Sequence, residues 1–318
     1  MSGSSVRVLY VLGIYHSGTT LLSNVAGQLD GYFSAGELRS VWRKSELPGA
    51  RCGCGQALSG CEVWSPILRA VLGEGPDRAA LAAEMQRCQR EAVGELHTWL
   101  RVPSLLRKRG RDLPAGSALA RYARGLARMY QAIAAETGSE VVVDCSKEPS
   151  DAAMLLLMPE IDATFVQIVR DPRGTVNSIL RVRDDQRTVA ARQLRHSAYA
   201  AFSWSAGNAA AAAVRRAAGQ DRSMLLRYEE FVAEPDQTIQ ALARLAGRPA
   251  PLPAALQTGT VHLRPVHTVG GNNNRFRTGP IQFREDTAWR SQLHPVDRAA
   301  VTAVCAPLMT RYGYRLVP

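Results

Sequence analysis

The chain has 318 residues, 46% of them hydrophobic and 21% charged, enough to bury a sizeable core as one large α/β domain or two small ones. Lys and Arg number 39 against 28 Asp and Glu, and the net charge of +11 favours anionic partners: a nucleotide, a sulfated or phosphorylated substrate, nucleic acid or an acidic membrane surface. Aromatic residues make up only 6% and the basic residues are dispersed, which argues against a nucleic-acid-binding module, and no apolar run approaches the roughly 18 to 20 residues that span a bilayer.

The first predicted element is a strand, Val6-Arg7-Val8-Leu9-Tyr10-Val11-Leu12. The chain enters it without a basic region, apolar core and cleavage site in succession, so no secretory leader is expected and a cytoplasmic location is. A helix is expected over residues 19–29, where Leu21, Leu22, Val25, Ala26 and Leu29 share one face. Residues 46–75 are rich in Gly, Pro and Cys and read as an irregular insertion or lid after the first βα unit. Helical spacing resumes over 76–108 and 117–136, with Gly110, Pro114 and Gly116 as turn signals between them, so the whole insertion runs to about 115.

Three more strands are expected at 140–144, 164–169 and 223–227, each a continuous apolar run suited to a buried parallel strand. Helical stretches separate them, including an Ala-rich one over about 188–218. The alternation predicts an α/β fold, an open parallel sheet flanked by helices on both faces, in a single domain. Residues 262–290, rich in Gly, Asn and Arg, are expected to form a ligand-binding loop before a final helix over about 295–312.

Six cysteines lie at 52, 54, 61, 88, 145 and 305. The clustering of Cys52, Cys54 and Cys61 leaves three readings open: a zinc site, a local disulfide, or free thiols in a compact loop. A tetrahedral site needs a fourth ligand, and neither the paired spacing of a zinc ribbon nor a partner spacing for His196, His262, His267 or His294 is present, so no metal is expected.

The segment Gly13-Ile14-Tyr15-His16-Ser17-Gly18-Thr19-Thr20 keeps the two glycines of a P-loop at their separation, after a strand and before a helix, where backbone amides can cradle phosphate oxygens. The nucleoside triphosphate version places a lysine after the second glycine, and Thr19 stands there instead. A P-loop small-molecule kinase is thereby weakened as the alternative, because lysine and magnesium together neutralise the charge of a transferred phosphoryl group, whereas a sulfuryl group carries less charge.

Ser17-Gly18-Thr19-Thr20-Leu21-Leu22 resembles the 5'-phosphosulfate loop of the sulfotransferases that use 3'-phosphoadenosine 5'-phosphosulfate (PAPS), in their bacterial and tyrosylprotein branches. Those families usually carry Arg or Lys where this chain has His16, whose charge depends on pH. Arg170-Asp171-Pro172-Arg173-Gly174-Thr175-Val176-Asn177-Ser178 resembles the family's 3'-phosphate segment, and the resemblance implies that Arg170 and Ser178 hold that phosphate. Leu226-Arg227-Tyr228-Glu229-Glu230-Phe231 is similar to the motif whose tyrosine lies near the adenine, which implies that role for Tyr228. Gly270-Gly271-Asn272-Asn273-Asn274-Arg275-Phe276-Arg277 is similar to a further family segment, in which Arg275 or Arg277 would complete the phosphate cage.

The resemblance implies sulfuryl transfer from PAPS, leaving 3'-phosphoadenosine 5'-phosphate (PAP), to a hydroxyl-bearing acceptor, with His16, Ser17, Gly18, Thr19 and Thr20 on the donor. Such transfer needs a base for the hydroxyl proton and a cation where charge grows on the leaving oxygen. Glu37, in Gly36-Glu37-Leu38, matches the Gly-Glu segment of the tyrosylprotein branch and is expected to be the base. Lys147, just past a predicted strand, is expected to stabilise the bridging oxygen with His16 assisting. A glycan, glycolipid or small-molecule hydroxyl is expected as acceptor ahead of a peptidyl tyrosine.

Overall fold

Among the described residues eight strands form in chain order: β1 (Val6–Gly13), β2 (Tyr32–Gly36), β3 (Val141–Lys147), β4 (Ile161–Val169), β5 (Ser223–Arg227), β6 (Leu256–Gln257), β7 (Thr260–Leu263) and β8 (Gly279–Gln282). The first five make a wholly parallel sheet in the order β2-β3-β1-β4-β5, and the last three a small antiparallel sheet in sequence order. The computed structural model describes residues 5–183, 190–252, 256–257 and 259–317.

Period-two alternation between two cores explains why β1 is apolar from Val8 to Leu12. Val8, Tyr10 and Leu12 face a core with Trp42, Trp64, Tyr122 and Tyr130, while Leu9 and Val11 face a second core with Leu22, Val25, Phe231 and Leu242. With helices on both faces, neither set of side chains meets water.

Expectation and structure agree on β1, β3, β4 and β5 and on the helices expected over 117–136 and about 295–312, observed as Ala118–Thr137 and Pro295–Arg311; other elements differ. Strand β2 was not expected: it is short and lies at the sheet edge, with β3 as its one strand neighbour in the sheet, so its pattern is weak. The supposedly irregular stretch 46–75 contains the helix Trp64–Leu72, whose Trp64, Ile67 and Leu68 are buried. The helix expected over 19–29 ends at Ala26, with Gly27 as its cap. The one expected over 76–108 stops at Val93, because Gly94 takes φ 81°, and resumes over Val102–Leu106. Within the predicted loop 262–290, β8 pairs with β7. The Ala-rich helix is described from Ala190 to Ala218, and its expected start at 188 lies outside the described residues. Among the described residues no helix is long and apolar enough to cross a membrane.

Register brings the chemistry to one edge. Gly13 pairs with Ile168, Leu12 with Lys147, Gly36 with Asp144 and Val169 with Arg227, so the C-terminal ends of all five parallel strands lie side by side. The chain leaves them through the glycine loop, Glu37, Lys147, Arg170 and Tyr228 in turn. Because β1 lies between β3 and β4, successive connections run to opposite sides of it, the arrangement that opens a ligand crevice in an open α/β sheet.

Candidate active site

The glycine loop turns on two left-handed residues, His16 at φ 68° and Gly18 at φ 88°. Gly18 immediately precedes the helix Thr19–Ala26, and a Cβ there would lie 2.5 Å from Cδ2 of Tyr228, so both backbone and packing require glycine. His16 has no such freedom, and its conformation is local strain of the kind that collects at functional sites. Lys147 shares it, at φ 73°.

A cavity of about 600 Å³ opens over this loop. His16, Gly18, Thr19 and Thr20 line it on one side, and Arg170, Ser178 and Tyr228 on another. Ser17 sits beneath, 1% exposed, and its Oγ has no hydrogen-bond partner. Arg170 donates to the His16 carbonyl at 3.0 Å, pairs with Asp286 Oδ2 at 3.0 Å and stacks its guanidinium 4.8 Å from the Tyr228 ring. Burial alone would raise the Asp286 carboxyl, but the hydrogen bond from Arg170 and the charges of Arg170 and Arg181 hold it below its ordinary value. Ser178 Oγ lies 3.1 Å from His16 Nδ1.

Burial, joined by the charges of Arg170, Lys147 and Arg181, pushes the His16 imidazole below its ordinary value. At neutral pH it is therefore an uncharged ring that donates one hydrogen bond, not the cation that an arginine or lysine would supply there.

Across the cavity Lys147 Nζ donates to Glu37 Oε1 in a close ion pair, and also to the Cys145 carbonyl at 3.2 Å. Burial works against the Lys147 charge, yet the neighbouring Cys145 and the Glu37 carboxylate outweigh it, and the ammonium is held above its ordinary value. Its Nζ lies 5.3 Å from the Tyr15 ring centroid. Asp144 supports this turn from inside: its Oδ1 accepts from Ser146 N at 2.8 Å and its Oδ2 from Tyr130 Oη at 2.6 Å. Burial pushes the Asp144 carboxyl up to about 6. Its position resembles that of a metal-binding P-loop aspartate, but its side chain is committed to Ser146 and Tyr130.

Tyr15 and Glu37 also border a second cavity of about 350 Å³, whose other walls include Arg43, Gln86, Gln89 and Arg90. Glu37 thus stands where two cavities meet.

Of the ten residues expected at the donor, the structure places eight on the first cavity and Ser17 just beneath it. Arg275 is the exception. Its Nη1 and Nη2 donate to the carbonyls of Gly271 and Arg51, each at 3.1 Å, which turns the guanidinium into the protein and leaves Arg277 on the cavity. The sequence reading missed Arg181, Arg284 and Asp286, which also line it. Arg181 was within reach, since it lies three residues beyond Ser178 on the same helix and so on the same face.

Residues 9–251 match the Sulfotransferase family. The chain belongs to that family. A curated relative, Carbohydrate sulfotransferase 3 of Tetronarce californica, is 29% identical over 98 residues, which is 31% of this chain and about a fifth (21%) of the relative's length. Among solved structures, the sulfotransferase domain of the Synechococcus PCC 7002 olefin synthase aligns over 100% of this chain and 98% of its own, at TM-score 0.55 and 18% identity. The sulfotransferase domain of the curacin biosynthetic pathway aligns over 98% of both chains, at TM-score 0.51 and 14% identity. These two likenesses concern the fold.

Sulfotransferase membership implies PAPS as donor, and the first cavity suits such a ligand. An orphaned buried hydroxyl at Ser17, a glycine cradle that any Cβ would fill, and a wall of arginines beside an aromatic ring are complementary to a nucleotide with two phosphate groups.

Proposed function

We propose that this sulfotransferase moves a sulfuryl group from PAPS to an acceptor hydroxyl by in-line transfer without a catalytic metal. The observation that carries the reading is the Glu37–Lys147 ion pair at the junction of the two cavities. A base and a cation held together there face the acceptor's oxygen from one cavity and the donor's bridging oxygen from the other. Loop amides and the hydroxyls of Ser17, Thr19 and Thr20 hold the 5'-phosphate, Arg170, Ser178 and Arg277 the 3'-phosphate, and Tyr228 lies beside the adenine.

In the reaction the Glu37 carboxylate takes the acceptor's hydroxyl proton as that oxygen bonds to sulfur. The bond from sulfur to the bridging phosphate oxygen breaks, and PAP departs with its electron pair. Lys147 and the neutral His16 N–H stabilise the charge that grows on the departing oxygen.

The second cavity receives the acceptor, and the insertion helix Asp77–Val93 supplies part of its wall. Arg43 and Arg90 offer positive charge and Gln86 a polar amide rather than an aromatic slot, which favours a polar, polyhydroxylated acceptor such as a glycan or glycolipid headgroup over a tyrosine. The name of the Tetronarce relative points the same way. Six cysteines without a disulfide are in keeping with a cytoplasmic location.

Calorimetry with PAP tests the donor assignment, using the wild type, Arg170→Ala, and ATP with Mg²⁺ as the control ligand. Micromolar binding of PAP that is lost in the variant, with no binding of ATP, is expected. Absence of PAP binding together with Mg²⁺-dependent ATP binding would overturn the reading in favour of a kinase.

A further inference from the structure

Three thiols and one imidazole meet where the insertion touches the segment after β7. Residues 51–57 form a tight hairpin: Arg51 and Ala57 make an antiparallel bridge, Cys52 N donates to Gln56 O and Gly55 N to Cys52 O, both at 2.9 Å. That hairpin presents Cys52 and Cys54, and Cys61 follows just before the helix Trp64–Leu72. The facing segment is held by two bonds, from Gly53 N to Thr268 O at 2.9 Å and from Trp64 Nε1 to His267 O at 2.6 Å. Gly53 has no room for a side chain, since a Cβ there would lie 2.5 Å from Thr268 Oγ1.

Cys61 Sγ lies 3.3 Å and Cys52 Sγ 3.8 Å from His267 Nδ1, and Cys54 Sγ lies 3.9 Å from Cys61 Sγ. All four potential ligand atoms lie within 4.8 Å of one another. A tetrahedral zinc ion, with Zn–S near 2.3 Å and Zn–N near 2.0–2.1 Å, separates its ligand atoms by about 3.6 Å for sulfur to nitrogen and about 3.8 Å for sulfur to sulfur. The two sulfur–nitrogen spacings, 3.3 and 3.8 Å, fall on either side of the first value, and the sulfur–sulfur spacing of 3.9 Å lies close to the second. A disulfide instead needs sulfurs about 2.05 Å apart and gives the imidazole no part.

We propose that Cys52, Cys54, Cys61 and His267, through Nδ1, bind one zinc ion in a closed structural site. Soft thiolates with an imidazole select zinc over magnesium, calcium or manganese, and four protein ligands leave no open position for a catalytic water. His267 Nε2 lies 3.7 Å from Glu62 Oε1, so metal binding at Nδ1 leaves the ring's second nitrogen facing a carboxylate, the usual support for a metal-ligating imidazole. Binding releases the three thiol protons and leaves a net charge of minus one on the centre. Arg275, a buried cation whose Nη2 donates to the carbonyl of Arg51 next to Cys52 and whose Nε has no hydrogen-bond partner, lies beside the centre to offset it.

The site would staple the insertion to the backbone that positions the base. Two residues beyond His267, Val269 N donates to Ala35 O at 2.9 Å and Val269 O accepts from Glu37 N at 2.7 Å. The same segment runs on into Gly271, Asn272 and Arg277 of the donor cavity. A sequence spacing that holds only three ligands thus becomes a four-ligand centre through a histidine 206 residues beyond Cys61.

The test is metal analysis of the full chain purified under reductant, followed by chelation and titration with Co²⁺. About one zinc per chain is expected, and the cobalt form should show thiolate charge-transfer bands with the intense ligand-field bands of a tetrahedral site. Cys52→Ser, Cys61→Ser and His267→Ala should each lose the metal, whereas Cys88→Ser, a buried thiol elsewhere, should keep it. If the ligand variants fail to fold, zinc content and the cobalt spectrum of the wild type still decide. Wild type that carries no stoichiometric zinc and takes up no cobalt would overturn the proposal, as would a Cys54–Cys61 disulfide found by mass spectrometry after alkylation without reduction.

Discussion

Lys147 Nζ donates to Glu37 Oε1 across the ends of adjacent strands β3 and β2, in a part-buried pair that joins two residues 110 positions apart. The pairing aims both groups at the space between the two cavities. It also makes their roles separable. Glu37→Gln removes the base while leaving a side chain that can still accept from Lys147, so kcat should fall by roughly 100- to 10,000-fold with PAP affinity little changed. Lys147→Met should lower kcat similarly and also leave Glu37 without its partner. Steady-state kinetics beside PAP calorimetry check both, and loss of PAP binding in Glu37→Gln would refute the assignment of that residue to catalysis alone.

Gly18 meets Tyr228 where an added methyl would collide, at a backbone angle of φ 88°. Gly18→Ala should cost about 1–3 kcal/mol of stability and weaken PAP binding. The collision part of that cost requires the ring, so the double variant Gly18→Ala with Tyr228→Ala should cost less than the sum of the two single changes. Denaturant melts of the four proteins in the cycle give the coupling directly. Strict additivity would mean that the backbone angle alone is responsible.

Asp286 occupies both Arg170 and Arg181, each at 3.0 Å, as a carboxylate where the donor's 3'-phosphate is proposed to bind. Asp286→Asn keeps the Oδ1 acceptor for Ala288 N but removes the competing charge. PAP affinity should rise by roughly twofold to fivefold, with a steeper dependence on salt. A weakened affinity would show instead that Asp286 orients the arginines for the ligand.

Asp144 titrates at about 6 in the folded protein, above its ordinary 3.8, because burial disfavours its charge. Between those two values the folded state holds more protons than the unfolded state. Stability from this group is therefore greatest below pH 4 and declines as pH rises from about 4 to about 6, by an amount on the order of 2–3 kcal/mol. Asp144→Asn should remove that component, so the difference in urea midpoint between wild type and variant should vary across this window and be flat above it. A difference that stays constant from pH 4 to pH 7 would contradict the assignment.

Much of the molecule is legible residue by residue along the chain. Strands β1, β3, β4 and β5 announce themselves as short apolar runs, and the glycine loop is recognised because all of its parts lie within eight residues of one another. Thr19, standing in the lysine position, already separates this loop from a nucleotide kinase. Glycines such as Gly94 and Gly27 are equally local, but whether they break a helix depends on what packs against it, and the expected helices overran both.

The remainder depends on contacts between distant segments. Periodicity along one stretch carries no information about which strand lies beside which, so the edge strand β2 and the meeting of Glu37 with Lys147 follow from the sheet order. Arg275 and Arg277 look equivalent in sequence, and only the carbonyls of Gly271 and Arg51 turn one inward while the other stays on the cavity. His267 likewise has no spacing to any cysteine that would mark it, yet it lies 3.8 Å from a sulfur 215 residues away. Local composition settles the elements and the glycine loop, because those signals span a few residues; the packing of distant segments settles the pairing of Glu37 with Lys147, the placement of the arginines and the thiol cluster, because each needs side chains from segments that meet only when the chain has folded.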